Sequence, residues 1–421
     1  MNRKEIEIMA PAGSYECLMA AIQGGADSVY FGVGQLNMRA ASSNNFTLKD
    51  LKNIALICRE NKIKSYLTVN VIVYDNEVQQ MKEIVEAAAE SGISAVIASD
   101  QSVINHAFSS GLEVHLSTQL NITNVEAIRF YSQWADVAVL ARELNLDHVR
   151  YIYDAIRLNN IRGPNGELMK IEMFAHGALC MAISGKCYLS LHENNRSANR
   201  GACYQTCRKS YVVTEKETGY ELEIDNDYIM SPKDLCTIGF LDKIIDAGAR
   251  VLKIEGRARS AEYVKVVSSC YDEAIKSIVA DSYTPEKIGL WTARLSTVFN
   301  RGFWDGYYLG QKMGEWTNSY GSSAAKRKVY VGKITNYFTK INVAEIKLES
   351  GNLNKGDTLL IIGPTTGVIE YTVEEIRVDL RVTEKAKKGE FCSIKITDFL
   401  RRSDKVYRWA DAERTKEKSQ S

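Results

Sequence analysis

The chain has 421 residues, of which 45% are hydrophobic and 25% charged. These ordinary proportions exclude a wholly disordered chain, a collagen-like chain and a coiled-coil rod. The length indicates two to three domains at about 150 residues each, and the formal net charge of +1 excludes a strong overall field for polyanions. No run approaches the roughly 18 consecutive apolar residues of a membrane span, and the start, Met1 to Ile8, lacks the apolar core of a secretory signal. We therefore expect a cytosolic protein without a membrane partner.

The first part of the chain alternates short apolar runs with amphipathic segments. The predicted strands are 5–10, 28–31, 64–69, 95–98, 113–116, 137–140, 171–175 and 251–254, and predicted helices include 15–25, 78–91, 101–110, 123–134, 234–247 and 261–280. Strands separated by helices of this length predict consecutive βα units and a parallel sheet. About eight such units over some 260 residues favour an α/β fold of the (β/α)8 type, a TIM-like barrel, over an open sheet.

Polar residues follow the predicted strands. Among them are Asn70, Ser117, Arg142, His176 and Glu255. In a barrel these positions meet on one face, where active sites are built. The alternative interpretation is that they are loop residues and helix caps.

The pattern changes after residues 326–328, Lys-Arg-Lys. We predict that residues 1–325 form the barrel and that 326–398 form a small, closed antiparallel β-barrel, because short β-rich runs there alternate with turn signals. Residues 399–421 are basic and poor in apolar side chains, which predicts a frayed C-terminal tail in which Tyr407 and Trp409 are able to dock.

Cysteines cluster in the middle of the chain: four of the nine lie between Cys180 and Cys207, and Cys236 is a fifth candidate. In a reducing compartment such clustering favours metal ligation or redox chemistry over disulfides. The sequence has no CxxC pair, which weakens a zinc-ribbon interpretation. Loops of irregular length over one end of a barrel are compatible with thiolate ligation of a 4Fe–4S cluster.

Cations interleave with these thiols. Arg196, Arg200 and Arg208 lie among them, and Lys233, Lys253 and Arg257 belong to the next two strand-end loops. Cations directed at one barrel mouth would form a receptor for carboxylate or phosphate, since guanidinium binds both through paired hydrogen bonds. The alternative is that they are solvated surface residues.

At this point the sequence resembles the peptidase family U-32, the collagenase-like proteins, over nearly its whole length. The resemblance is carried by His176-Gly-Ala-Leu-Cys180, Ser184-Gly-Lys-Cys187, Arg196-Ser-Ala-Asn-Arg-Gly201, Cys203, Cys207-Arg208, Ser231-Pro-Lys-Asp-Leu-Cys236 and Lys253-Ile-Glu-Gly-Arg257.

The resemblance implies oxygen-independent hydroxylation rather than mainly proteolysis. Branches of this family carry a 4Fe–4S cluster and act on tRNA, ribosomal RNA or quinone precursors. By position, the family's cluster ligands map onto Cys180, Cys187, Cys203 and Cys236, with Cys207 a bystander. The C-terminal barrel resembles that of the branch that makes 5-hydroxyuridine at the tRNA wobble position with prephenate as hydroxyl donor. A shorter homologous subunit is implied as a partner.

Our leading hypothesis is therefore a cytosolic tRNA uridine 5-hydroxylase whose catalytic region spans about 174–260. The six cations named above would bind the two carboxylates of prephenate or RNA phosphate, and His176 and Glu255 would transfer protons. The small barrel and residues 326–328 would hold tRNA by backbone contacts.

Two alternatives stay open. One is a peptidase that uses a Cys–His dyad of His176 with Cys180 or Cys187, or a metal-bound water. The sequence contains neither a Gly-x-Ser-x-Gly elbow nor a His-Glu-x-x-His helix, which argues against the common protease designs. The other is a non-catalytic RNA-binding partner of a paralogue.

Overall fold

The structure is a computed structural model and describes residues 1–41, 45–211, 213–214, 216–217, 221–222, 230–311, 314–317 and 321–412. The strands are β1 Glu7–Pro11, β2 Ser28–Gly32, β3 Lys64–Val69, β4 Ala95–Ala98, β5 Glu113–Leu116, β6 Val137–Val139, β7 Lys170–Ala178, β8 Val213–Thr214, β9 Glu221–Leu222, β10 Asp234–Cys236, β11 Ala249–Ile254, β12 Phe303–Trp304, β13 Lys326–Phe338, β14 Val343–Leu348, β15 Leu353–Asn354, β16 Thr358–Gly363, β17 Gly367–Thr372, β18 Ile376–Val378, β19 Arg381–Thr383, β20 Lys385–Ala386, β21 Phe391–Lys395 and β22 Lys405–Asp411. The α-helices are α1 Tyr15–Gln23, α2 Leu51–Glu60, α3 Val78–Ser91, α4 Gln101–Ser109, α5 Val125–Tyr131, α6 Leu146–Leu158, α7 Leu189–Asn194, α8 Leu241–Asp246, α9 Ala261–Val279 and α10 Pro285–Ser296.

Eight parallel strands close into a barrel. Strands β1 to β7 pair in sequence order, and β11 pairs in parallel with both β1 and β7. Alternate strand residues form two separate buried clusters. One, which includes Tyr66, Ile97 and Val251, fills the barrel interior, while the other packs against the surrounding helices. The predicted TIM-like barrel is therefore confirmed.

Several polar residues after the strands are helix N-caps, as the alternative interpretation held. The side chain of Ser14 accepts a hydrogen bond from the backbone N–H of Cys17, and Asp100 and Asn145 cap α4 and α6 in the same way. Each cap satisfies a backbone donor that the first helical turn leaves without a partner. These residues fix where the helices begin.

The segment between β7 and β11 departs from the predicted pattern. A helix over 234–247 is wrong at its start, because Asp234–Cys236 forms β10, which pairs antiparallel with β7 and parallel with β12. Leu235 is buried between these partners, and α8 begins only at Leu241. Long-range strand pairing thus overrides the local helical pattern.

The C-terminal part is an antiparallel sheet domain that begins at Lys326. Its main sheet has eight strands in the order β17-β16-β22-β13-β14-β21-β18-β19 around a separate core. The predicted tail is wrong for Lys405–Asp411, which forms β22 between β13 and β16 with Val406 fully buried. Backbone pairing on both sides holds this basic segment in place. Residues 413–421 of the predicted tail lie outside the described residues.

The sheet domain is fixed to two helices of the barrel. The Gln23 side chain on α1 donates to the Thr366 carbonyl at 2.8 Å and accepts from the Val368 N–H at 2.9 Å. On α9, Lys265 Nζ donates to the Val368 carbonyl at 2.7 Å. Leu360 and Val368 join the hydrophobic cluster of the barrel helices. Within the described part of the chain, no helix has both the length and the apolar character to span a membrane.

Candidate active site

A cavity of about 160 Å³ lies at the carboxyl ends of the barrel strands. Its floor includes Tyr30 of β2, Thr68 of β3, Phe174 of β7 and Lys253 of β11. The segment 178–208, which follows β7, forms the wall that covers it. The cavity therefore occupies the face on which TIM-barrel enzymes place their active sites.

Four thiols line this cavity: Cys180, Cys187, Cys203 and Cys207. Cys180 is exposed and the other three are half-buried. Burial raises the pKa of Cys207 to about 11, and nearby thiol charge at Cys180, Cys203 and Cys187 adds to that effect. The structure thus brings all four cysteines of the central cluster to one place.

Cys236 lies elsewhere. It is a described residue on β10, it is buried, and it is not among the residues that line the cavity. Burial raises the pKa of its thiol to about 12, and the charges that act on it belong to Asp305 and Asp234. The structure therefore groups Cys207, not Cys236, with the other three thiols, which differs from the ligand set implied by the resemblance. The antiparallel pairing of β10 with the end of β7 places Cys236 opposite His176.

The donor set suits a cluster better than a single ion. Among the described residues, no three His, Cys, Asp or Glu side chains converge closely enough to hold one metal ion, whereas a tetrahedral zinc site needs four ligands around one ion. An iron–sulfur cluster distributes its thiolate ligands over several iron atoms. Four thiols around one cavity, with cations beside them to balance thiolate charge, fit this kind of group.

The cavity is strongly cationic: its described lining includes Arg39, Arg142, Arg208, Lys253 and Arg257 but a single carboxylate, Glu255. Cationic side chains therefore outnumber carboxylates in the lining, which favours an anionic ligand.

The five cations differ in their contacts. Arg39 Nη2 donates to Glu255 Oε1 at 2.6 Å. Arg257 donates to Thr68 Oγ1 at 2.9 Å and to Asn37 Oδ1 at 2.8 Å, and burial lowers its pKa to about 10. These neutral partners orient Arg257 without cancelling its charge.

Arg208 is held by three neutral oxygens. Its guanidinium donates to Ser231 Oγ at 2.9 Å and to the carbonyls of Pro232 and Leu179, both at 2.6 Å. Burial lowers its pKa to about 10. Arg208 therefore ties the segment that carries the thiols to the segment before β10 while keeping its positive charge at the cavity.

Glu255 is an ionised carboxylate at neutral pH. Burial alone would raise its pKa, but Arg39, Arg142 and Arg257 hold the pKa at about 2. Tyr30 also donates to it at 3.2 Å. Glu255 therefore accepts hydrogen bonds and orients Arg39, and its low pKa makes it a poor proton donor.

His176 does not fit its predicted role in proton transfer. Its side chain is 1% exposed and packs against Tyr263, Tyr271 and Phe303. Burial, with the charge of Arg259, lowers its pKa to about 3. This described residue is also not part of the cavity lining. The structure therefore does not place His176 beside Cys180 or Cys187 as a peptidase dyad requires.

Three predicted cations lie outside the cavity. Arg200 forms an ion pair with Glu77 at 2.7 Å and stacks 3.6 Å above the Tyr74 ring. Lys233 pairs with Glu315 at 2.7 Å, and Arg196 is exposed. Local carboxylate partners or solvent direct these side chains outward. Of the six predicted cations, Arg208, Lys253 and Arg257 line the cavity.

The site also contains polar groups that the sequence hypothesis does not assign. Arg142 Nε, Gln119 Oε1 and Thr206 Oγ1 are buried polar atoms without a hydrogen-bond partner among the described residues, and all three residues line the cavity. Arg142 and Gln119 each follow the end of a barrel strand, and this position in the sequence is the signal that predicts a place for them in the site. Buried donors and acceptors left without partners are costly unless a ligand satisfies them.

The profile of Peptidase family U32 matches residues 13–318. The chain therefore belongs to Peptidase family U32.

Relatives within this family carry different names. A protein of Porphyromonas gingivalis named Collagenase is 60% identical over 409 residues, covering 97% of this chain and 99% of its own. The tRNA hydroxylation protein P1 of Bacillus subtilis is 30% identical over 384 residues, covering 89% of this chain and 87% of its own. A 23S rRNA 5-hydroxycytidine synthase of Escherichia coli is 34% identical over 285 residues, covering 67% of this chain and 41% of its own.

Proposed function

We propose that the protein is an oxygen-independent RNA hydroxylase that uses a 4Fe–4S cluster and prephenate to convert the wobble uridine of tRNA to 5-hydroxyuridine. The observation that carries this proposal is a single cavity at the barrel mouth lined by four thiols and five cations. Two relatives whose names state hydroxylation of tRNA and formation of a hydroxylated rRNA nucleoside support it.

Cys180, Cys187 and Cys203 would hold the cluster together with a fourth thiol. The family resemblance assigns that place to Cys236, whereas Cys207 shares the cavity with the other three. A bound cluster would supply one-electron redox chemistry next to the ligand.

The cations would bind and orient the donor. Prephenate carries two carboxylates, and guanidinium groups bind carboxylates through paired hydrogen bonds. Arg142 and Arg257 are suited to this because neither pairs with a carboxylate within hydrogen-bond distance among the described residues. Glu255 would keep Arg39 in position, and Lys253 would place a positive charge at the cavity floor.

The RNA substrate would lie against both domains. The sheet domain and residues 326–328 would contact the tRNA backbone, and a shorter homologous subunit would complete the assembly. Lys328 already pairs with Glu262 of α9 at 3.0 Å, so this basic segment lies at the junction of the two domains.

The test combines cofactor analysis with nucleoside analysis. Anaerobically purified protein should contain iron and sulfide, and deletion of the gene should remove 5-hydroxyuridine from tRNA. Re-expression should restore the nucleoside, whereas the Cys187→Ser variant should not. Undiminished 5-hydroxyuridine after deletion, in a strain without a paralogue, would overturn the proposal.

A second candidate function is proteolysis, which the 60% identical relative named Collagenase supports. The two functions exclude each other at the same cysteines, because a thiolate bound to iron is not available as a nucleophile. Cleavage of gelatin by purified protein that persists after anaerobic removal of iron would favour the peptidase. Loss of 5-hydroxyuridine without gelatin cleavage would favour the hydroxylase.

A further inference from the structure

A groove of about 1200 Å³ runs between the barrel mouth and the sheet domain. On the barrel side its lining includes residues 13–14, 16–17 and 257–261, and on the sheet side residues 362, 364–365 and 401–405, together with Lys328 and Tyr407. The groove thus exists only because the two domains are fixed together.

Positive charge is concentrated in this groove. Six cations line it against two carboxylates, and the cations are Arg257, Arg259, Lys328, Arg401, Arg402 and Lys405. The chain as a whole has a net charge of only +1, so the excess is local. One of the two carboxylates, Asp404, is 2% exposed and accepts from the Arg401 backbone N–H at 2.8 Å and from Thr366 Oγ1 at 2.5 Å. Asp404 therefore stabilises the loop at residues 401–404 through these hydrogen bonds and does not face a ligand in the groove.

Two of these cations are available to a partner. Arg402 and Lys405 are exposed, and neither forms an ion pair with any described residue. Tyr407 is half-buried in the same groove, and Lys328 Nζ lies 5.3 Å from the centre of its ring. Exposed cations beside an aromatic ring are the combination that binds single-stranded nucleic acid, because phosphates pair with the cations and bases stack on the ring.

The groove connects with the thiol-lined cavity. Arg257 lines both. A further space of about 440 Å³ shares Ala258 and Arg259 with the groove and Cys203 and Glu255 with the cavity. A strand that follows the groove would therefore pass the cavity entrance, where a single nucleotide turned out of its stack could enter.

We propose that this groove binds the sugar–phosphate backbone of single-stranded RNA next to the nucleotide that enters the cavity, with Arg402 and Lys405 as phosphate contacts. This inference rests on the proposed function and adds to it the path of the RNA. An acidic protein segment is the competing occupant, but continuity with the cavity favours RNA.

The test measures binding of an anticodon stem–loop RNA to the full-length protein at several salt concentrations. The double variant Arg402→Ala/Lys405→Ala is compared with Lys387→Ala/Lys388→Ala, which removes the same charge from exposed positions of the sheet domain outside the groove. The groove variant should bind the RNA on the order of tenfold more weakly than the wild type. The slope of log affinity against log salt concentration should also be smaller by about 1.4, because each phosphate that is no longer neutralised reduces the slope by about 0.7. The control variant should bind like the wild type.

The single variant Lys405→Glu provides a second measurement, and unchanged thermal unfolding midpoints show that the variants fold. If the groove variants bind RNA with the affinity and slope of the wild type, this inference fails while the proposed function stands. If the wild type binds no RNA, but binds polyglutamate in a way that depends on Arg402 and Lys405, the proposed function fails and the groove belongs to an acidic protein partner.

Discussion

Lys253 Nζ lies 2.7 Å from Glu172 Oε1 in the interior of the barrel. The two residues stand on the neighbouring strands β11 and β7, where Lys253 pairs with Phe174 and not with Glu172 in the strand register. Glu172 is completely buried, and Lys253 is 6% exposed at the cavity floor. The Lys253 ammonium group therefore has two contacts: it neutralises the buried Glu172 carboxylate in the barrel core, and it lines the candidate active-site cavity.

Replacing Lys253 with Met should therefore destabilise the protein. The variant leaves the Glu172 carboxylate buried without its partner, which costs about 3–5 kcal/mol of the free energy of unfolding. The double variant Lys253→Met/Glu172→Gln should recover most of that loss, because no uncompensated charge remains. Urea unfolding of the three proteins measures both effects. Equal stability of the single and double variants would show that the ion pair does not hold the interior together.

On the proposed function, Arg142→Met should weaken binding of prephenate. The variant removes a guanidinium that carries an unpartnered Nε at the cavity, and loss of a charged hydrogen bond costs about 1.5–3 kcal/mol. The dissociation constant for prephenate should rise roughly tenfold to a hundredfold. Arg129→Met on the exposed face of α5 is the matched control, and calorimetry under anaerobic conditions is the measurement. An unchanged constant would remove Arg142 from the donor site.

Serine substitutions should identify the ligands of the proposed 4Fe–4S cluster. Cys180→Ser, Cys187→Ser and Cys203→Ser should each lower the iron content per chain, and of Cys207→Ser and Cys236→Ser only one should do so. Cys58→Ser, at a buried position in α2, should retain the iron of the wild type. Iron analysis and the visible absorption spectrum of anaerobic protein provide the measurement. Full iron in any of the first three variants would refute this ligand assignment.

His176→Gln should make the protein less sensitive to acid. The pKa of His176 is about 3 in the folded protein, whereas its usual value is 6.5. Between these two pH values the unfolded chain binds a proton on His176 that the folded protein does not bind. His176 therefore lowers the free energy of unfolding by about 1.4 kcal/mol for each pH unit as the pH falls from about 6.5 towards 3.

The acid dependence is measured by urea unfolding in the upper half of this pH window. His176→Gln should show a smaller decline than the wild type, whereas the exposed His192→Gln should decline like the wild type. Parallel declines in all three proteins would indicate that other groups govern the acid response.

The last described strand should decide whether the sheet domain folds. A chain that ends at Asp404 lacks β22, which separates β16 from β13 in the sheet, so its sheet domain should unfold. A chain that ends at Ala412 keeps β22, and its sheet domain should fold. Calorimetry distinguishes the two chains. A folded sheet domain in the shorter chain would show that pairing by β22 is dispensable.

The barrel could be predicted because short strand-like runs alternate regularly with helical segments along residues 1–280. For β3, β4 and β5 the predicted ends coincide with the observed ends, since both faces of these strands are buried. β22 could not be predicted because its outward positions are charged or half-exposed and only Val406 is fully buried. Its composition is that of a tail, and the two neighbouring strands that hold it are distant in sequence.

The site could be predicted only in part. The clustered thiols are visible in the sequence, but Arg39 lies 216 residues from Glu255, and only closure of the barrel brings the two together. His176 belongs to the family motif, yet Tyr263, Tyr271 and Phe303 surround it. These aromatic residues come from later parts of the chain, so the burial that removes His176 from the site has no local signal.

The four thiols of the cavity all come from the insertion after β7, whereas four of its five cations come from the barrel and its strand-end loops. The two halves of the site are therefore encoded by separate stretches of the gene. Descendants of one ancestor can exchange or lose the half that carries the thiols while keeping the half that carries the cations. Substitutions in the segment after β7 can therefore change the thiols without altering the strands of the barrel.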